Sequence, residues 1–257
     1  MFVSLVSGSS GNCTLLSHKN TMLLVDCGLS AKKLEQTVST IGISPEKICG
    51  LLVTHEHSDH TKGIGTLSRK YQIPVYATVG THEAMIDLSI SEKAVRYITP
   101  GIDLEIGDIG IKPFSIPHDA KNPVAYNFFF DEKKLTLATD MGHITDEILS
   151  NIKGSIAVLL ESNHDINMLK NGRYPAFLKQ RILGKRGHLS NEDAANVALK
   201  LAKSGTKHLM LGHLSNENNT PRAAFIKTAE VLTAGGAEVQ KDITLTVASR
   251  YEVTKFR

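Results

Sequence analysis

The run Leu51-Leu52-Val53-Thr54-His55-Glu56-His57-Ser58-Asp59-His60 passes abruptly from apolar, branched side chains to three histidines and two acids. Its first part reads as a buried strand, so the polar tip is held at a strand end. His55 and His57 are two residues apart, and in extended backbone their rings point the same way. Asp59 and His60 fall where the chain must turn and can present a second set of ligands. One short segment can therefore serve two neighbouring metal ions. A lone histidine at a strand end is ordinarily a hydrogen-bonded polar residue; three with an acid within six positions set this run apart.

The His55-Glu56-His57-Ser58-Asp59-His60 run resembles the H-x-H-x-D-H signature of the metallo-β-lactamase fold superfamily of hydrolases. That resemblance implies an α/β class fold, a four-layer αββα sandwich with two mixed sheets, outer helices and metal at a sheet edge. It names no substrate, because one fold hosts many functions. Matching the superfamily pattern position by position adds His118, Asp140 and His213. One metal would then be held by His55, His57, His118 and Asp140, and a second by Asp59, His60, Asp140 and His213, with Asp140 bridging.

Neutral imidazoles and carboxylates suit Zn²⁺ and also admit Mn²⁺ or Fe²⁺. Two such ions can share a water, lower its pKa toward neutrality and neutralise charge on a phosphodiester. Asp59 is placed to orient that water and accept its proton. His188 is the candidate acid for the leaving alkoxide, where phosphodiesterases of the superfamily carry an extra histidine. Glu161 or Asp165 could orient a ligating imidazole from behind, His164 is a further candidate for such support, and His143 reads as capping its turn.

The elements that must position these residues follow from periodicity and breakers. Phe2 to Leu5, Thr14 to Ser17 and Thr21 to Asp26 read as opening strands, with a hairpin turn at Lys19-Asn20. Ser30 caps a helix reaching Ile41. After the histidine run, Thr61 to Tyr71 suits a helix and Pro74 to Ala77 a strand. Strands then follow at Val95 to Ile98, Leu104 to Ile106, Ile109 to Ser115, Val124 to Phe130 and Leu135 to Ala138, two of them running on into His118 and Asp140. A second α/β half has strands at Ile156 to Leu160, His208 to Leu211 and Ile243 to Val247, and helices at Asn191 to Ser204 and Pro221 to Ala234. Residues 1–257 are expected to form a single domain, because no linker or low-complexity tract divides them.

Composition excludes other classes. At 41% hydrophobic and 21% charged residues the chain reads as a soluble globular protein, and no apolar run approaches the roughly 20 residues of a membrane helix. The P-loop ending is absent, so no nucleotide cofactor is expected. Cys13, Cys27 and Cys49 form no C-x-x-C pair and read as buried reduced thiols in a cytoplasmic protein. Net charge is only +3, yet Ile166 to Asn191 holds six basic residues and no acid. Such a patch attracts a polyanion.

Gly187-His188-Leu189-Ser190-Asn191-Glu192 recurs as Gly212-His213-Leu214-Ser215-Asn216-Glu217, identical and 25 residues apart. Ser190 or Asn191 could cap the following helix, but glycine, histidine and hydroxyl together also suit close approach to phosphate. The expected substrate contacts are therefore Ser9, in the donor-rich Ser7 to Asn12 loop, with Ser190, Asn191, Arg181 and Arg186.

These stretches, with Glu161-Ser162-Asn163-His164-Asp165, Tyr174 to Ile182 and the Asn218-Asn219 that closes the second repeat, make nearly the whole chain similar to the YycJ/WalJ (VicX) group. The resemblance implies a cytoplasmic DNA exonuclease acting from the 5′ end. A small-molecule or cyclic-phosphate phosphodiesterase needs the same metals and fewer basic residues. A thioester hydrolase and a non-catalytic regulator are weaker rivals. Nothing in the pattern specifies an oligomeric state.

Overall fold

The computed structural model describes residues 1–256; Arg257, the last residue of the expected domain, lies outside them. Among the described residues, fourteen strands form two seven-stranded sheets. In the first, β1 (Phe2–Val6), β2 (Cys13–His18), β3 (Thr21–Val25), β4 (Gly50–Leu52), β5 (Val75–Ala77) and β6 (Val95–Tyr97) lie in chain order. The second places β7 (Leu104–Ile106), β8 (Ile109–Ser115), β9 (Val124–Phe130), β10 (Lys133–Ala138), β11 (Ala157–Glu161), β12 (His208–Gly212) and β13 (Thr244–Val247) in order, and β14 (Thr254–Lys255) returns to pair with β1. Each sheet is mixed. β1 to β3 and β7 to β10 pair antiparallel, whereas β3 to β6 and β10 to β13 pair parallel.

Period-two side-chain alternation makes the layers. Leu24, Leu51 and Val53 face the helices α1 (Ala31–Ser39) and α3 (Ile64–Tyr71), while their neighbours Leu23, Val25 and Leu52 face the other sheet. On the far side Val158, Leu160, Leu209 and Leu211 face α5 (Asp146–Ile152), α8 (Asn191–Lys203) and α9 (Pro221–Ala234), while Leu159 and Met210 point inward. Both faces of each central strand are buried, and each fully buried Leu or Ile contributes about 1.5–3 kcal/mol. The expected four-layer sandwich is the observed one. No helix among the described residues is long and apolar enough to cross a membrane.

Several boundaries differ from the periodicity. The histidine-bearing strand β4 closes at Leu52; Val53 still bonds Tyr76, but the Thr54 amide donates to the Asp26 carboxylate at 2.8 Å instead of to a neighbouring strand. The helix expected over Thr61 to Tyr71 is two: α2 (Ser58–Thr61), which carries Asp59 and His60, and α3. They part at Gly63, where a Cβ would meet the Leu29 carbonyl oxygen at 2.4 Å. Helices α4 (Val79–Ala84), α6 (Ile166–Asn171) and α7 (Ala176–Leu183) were not legible from spacing. Cys13 and Cys27 are buried, but Cys49 is exposed, at the turn before β4, with its thiol donating to the Met22 carbonyl.

Behind the histidine run the two sheets are tied directly. The Tyr126 hydroxyl on β9 donates to the Val53 carbonyl at 2.6 Å, fully buried, and the Val124 amide donates to the Thr54 carbonyl at 3.0 Å. Tyr126→Phe leaves a buried carbonyl unpaired and is expected to cost about 1–3 kcal/mol, read as a lower urea midpoint at unchanged slope. An unchanged midpoint would show that this bond does not hold the sheets together.

Candidate metal centre

The site lies where β3, β4, β10, β11 and β12 end, at the carboxyl edge of the parallel strands of both sheets, where open α/β sheets bind ligands. Three of its residues sit just beyond strand ends in the left-handed backbone region: Asp26 (φ 58°), Asp140 (φ 62°) and His213 (φ 55°). Non-glycine residues are uncommon there, Asp and His less so than most, and three of them around one site aim the groups they carry.

His55 Nε2 and His118 Nε2 lie 3.1 and 3.3 Å from His57 Nδ1, so three imidazole nitrogens meet at one point. Beside them, His60 Nε2 lies 3.4 Å from Asp59 Oδ2 and 3.4 Å from Asp140 Oδ2, and His213 Nε2 lies 3.6 Å from Asp59 Oδ2. Asp140 stands between the two groups, 3.9 Å from His118 Nε2 through its other oxygen. The structure thus brings together all seven residues expected as ligands.

The far side of each ring decides which nitrogen faces inward. Asp26 Oδ2 accepts from His60 Nδ1 at 2.8 Å and from the Thr54 hydroxyl at 2.8 Å, and that hydroxyl lies 3.0 Å from His55 Nδ1. One buried carboxylate therefore fixes His60 and, through Thr54, His55. His118 Nδ1 lies 3.3 Å from the Gly187 carbonyl. Glu161 Oε1 accepts from the Nδ1 atoms of both His188 and His213, each at 2.8 Å, while Oε2 accepts the amides of Met141 and Leu189 at 2.9 and 3.0 Å. The repeated Gly-His pairs converge on that oxygen.

Neither Asp26 nor Asn12 was expected in this role. Asn12 Nδ2 lies 3.3 Å from Asp59 Oδ2 and 3.1 Å from His60 Nε2, and its amide donates to the Asp59 carbonyl at 2.8 Å. This close approach requires Gly28, where a Cβ would come within 1.8 Å of the Asp59 carbonyl oxygen. The signal that could have found Asp26 is the one that found His55, an acid closing a buried apolar run.

Other expectations shift. Ser190 is buried and caps α8 through the Asp193 amide, and Asn191 is buried between Ser162 and Asn219. Their polar atoms are spent inside the fold, so neither offers the expected substrate contact. The Arg186 guanidinium donates to the carbonyls of His118 and Ala120 at 2.9 and 3.3 Å and steadies the His118 loop. Arg181 pairs with Asp119. Asp165 caps α6, which leaves Glu161 as the orienting acid, and His143 Nδ1 lies 2.9 Å from the Lys185 carbonyl. His164 is buried with neither ring nitrogen bonded, and burial lowers its pKa to about 4. Ser9 lies exposed in its loop.

The electrostatics divide the cluster in two. Burial and the neighbouring imidazoles of His60, His118 and His57 hold His55 well below the usual histidine range, and burial lowers His118 as well. Those rings are neutral and ready to ligate. Burial also opposes charge on His60 and His213, but Asp140, Asp26 and Asp59 outweigh it at His60, and Asp140, Asp59 and Glu161 raise His213 to about 10. Asp140 Oδ2 and His213 Nε2 are buried without a hydrogen-bond partner, both turned toward the cluster. Orphaned atoms of this kind, with imidazole and carboxylate donors around them, fit divalent cations.

A family model for the beta-lactamase superfamily domain matches residues 21–214. The chain is 42% identical over 237 residues to exodeoxyribonuclease YycJ of Bacillus anthracis, covering 91% of this chain and 90% of that protein. It is 40% identical over 242 residues to exodeoxyribonuclease WalJ of Streptococcus pneumoniae serotype 2, covering 93% and 90%. Among solved structures, unliganded yeast PDE1 superposes with a TM-score of 0.72 at 11% identity, over 98% of each chain.

In the metal-free protein His60 and His213 hold protons at neutral pH, and a cation entering beside Asp59 must expel them. Affinity at that pocket is therefore expected to rise with pH across the neutral range. Titration calorimetry of Mn²⁺ or Zn²⁺ in buffers of different ionisation enthalpy reads the released protons; binding without proton release would contradict the assignment. Glu161→Gln is expected to weaken metal binding by about 10–100-fold, checked in the same titration.

Proposed function

The chain belongs to the beta-lactamase superfamily, and from that premise we propose that it is a metal-dependent exodeoxyribonuclease hydrolysing DNA from the 5′ end. The observation that carries this reading is the junction at Glu161, where an imidazole of the metal cluster and the partly exposed His188, its side chain 18% open to solvent, share one carboxylate oxygen beside the basic α7 segment. Relatives named exodeoxyribonuclease, alike along nine-tenths of the chain, support the substrate class. We take the site to hold two divalent ions, Zn²⁺ or Mn²⁺ with Fe²⁺ admitted, sharing Asp140; residues 1–257 to be a single domain; and the free thiols to reflect a cytoplasmic protein.

Bound ions would lower the pKa of water and neutralise charge on the scissile phosphate. His55, His57 and His118 would hold one ion, Asp59, His60 and His213 the other. Asp59, anchored by Asn12 and partly open to solvent, can orient water and take up its proton at the free carboxylate oxygen. With Nδ1 committed to Glu161, His188 presents Nε2 to the opening and can give a proton to the departing oxygen. Arg181, Lys185 and Arg186 add positive field along the approach.

The test is digestion of 5′- and 3′-end-labelled DNA, with RNA alongside, in Mn²⁺ or Zn²⁺. Wild-type protein is expected to release mononucleotides from the 5′ end, Asp59→Ala/His60→Ala to lose turnover with the fold intact, and His188→Ala to lower kcat roughly 10²–10⁴-fold. Survival of every polymer while bis-p-nitrophenyl phosphate is cleaved would replace this reading with a small-phosphodiester enzyme.

A further inference from the structure

Every residue of the loop from His118 to Lys121, between β8 and β9, is held from outside it. Arg186 donates to the carbonyls of His118 and Ala120 at 2.9 and 3.3 Å. Arg181 Nε donates to Asp119 Oδ2. The Lys121 amide donates at 2.8 Å to Oε1 of Glu56, which stands between His55 and His57 in the chain. With the backbone and one carboxylate oxygen fixed, Asp119 Oδ1 is turned to His118 Nε2, 3.4 Å away.

Oδ1 is buried and takes no hydrogen bond from any described residue. Burial works against charge on Asp119, but Arg181 and then His118 outweigh it, and the carboxyl is held below the usual carboxylate range. A buried charged oxygen without a donor is costly, so a partner is due. His118 cannot be that partner once Nε2 gives its lone pair to a cation. Nor does Oδ1 complete the pocket itself. Among the described residues the ligating atoms within 4.8 Å of one another are those of His55, His57 and His118, and Asp119 meets that set at its His118 edge. The offset suits a carboxylate that reaches water on the ion and not the ion.

We infer that Asp119 is a positioning residue of the first pocket, its Oδ1 accepting a hydrogen bond from water carried by the ion at His55, His57 and His118. Arg181 anchors it from behind, as Asn12 anchors Asp59 at the second pocket. Each ion then has its own carboxylate to orient water. With Asp140 the first pocket already offers Zn²⁺ its usual four protein ligands, and a water beyond four is kept by six-coordinate ions such as Mn²⁺. Asp119 therefore biases this pocket toward Mn²⁺. The inference rests on the two-cation reading of the site and not on DNA as the substrate.

Asp119→Asn is the discriminating variant. Its volume is nearly unchanged and its carbonyl oxygen can still accept from Arg181 Nε, which turns the amide NH₂ toward His118 and puts a donor where the acceptor stood. Calorimetric titration of the metal-free wild type and variant with Mn²⁺, and separately with Zn²⁺, reads the effect without turnover. Asp119→Asn is expected to weaken Mn²⁺ binding at one of the two pockets roughly 10–100-fold and Zn²⁺ binding far less, with the urea midpoint of the metal-free protein unchanged. An equal loss for both ions would show that Asp119 only holds the His118 loop in place, and unchanged affinity that it has no part in the pocket; either overturns the inference and leaves the nuclease reading standing. Failure of wild type to bind either cation overturns the metal reading itself.

Discussion

One buried carboxylate oxygen, Glu161 Oε1, takes hydrogen bonds from two imidazoles that belong to different chain segments. Its partner oxygen takes the backbone amides of Met141, beside Asp140, and Leu189, beside His188. A charge with no exposure to water survives only because every lone-pair direction is used, and burial, which would favour the neutral acid, is outweighed by His188 and His213. Glu161 closes β11, which lies between β10 and β12, so the loops that carry Asp140 and His213 are fastened to one point. Asp26 plays the corresponding part at the end of β3 for His60, Thr54 and, through Thr54, His55.

The two sheets thus contribute one orienting acid each, and the groups those acids orient face one another. Such a concentration of histidine and aspartate is costly to bury without a cation, as the opposed pKa shifts of His55 and His213 indicate. A protein fold that keeps left-handed backbone at Asp26, Asp140 and His213 uses it to aim these groups. In this reading the core supplies rigidity, the strand ends supply position and the bound ions balance the charge.

Much of this was legible in the sequence. His55, His57, Asp59 and His60 announced themselves because strand and turn periodicity place neighbouring ligands within six residues. The Gly-His repeat pointed to close approach to phosphate; what the structure shows is both histidines hydrogen-bonded to one carboxylate oxygen. Ser190 and Asn191 misled because a hydroxyl and an amide after a histidine suit phosphate and helix capping equally, and the helix claimed them. Asp26 and Asn12 were missed because an acid or amide at a strand end usually only serves a turn. Helix α7 left no clear period, since Phe177 and Leu183 are exposed and interrupt any apolar face. The pairing of Arg181 with Asp119 joins residues 62 apart and depends on tertiary placement alone.

The most direct test of the central claim, that acids behind the imidazoles shape two cation pockets sharing Asp140, is anomalous diffraction from crystals soaked in Mn²⁺. Two peaks are expected, one among His55, His57 and His118 and the other among Asp59, His60 and His213, with Asp140 reaching both. A single peak at saturating Mn²⁺, or two peaks with Asp140 turned away, would contradict it.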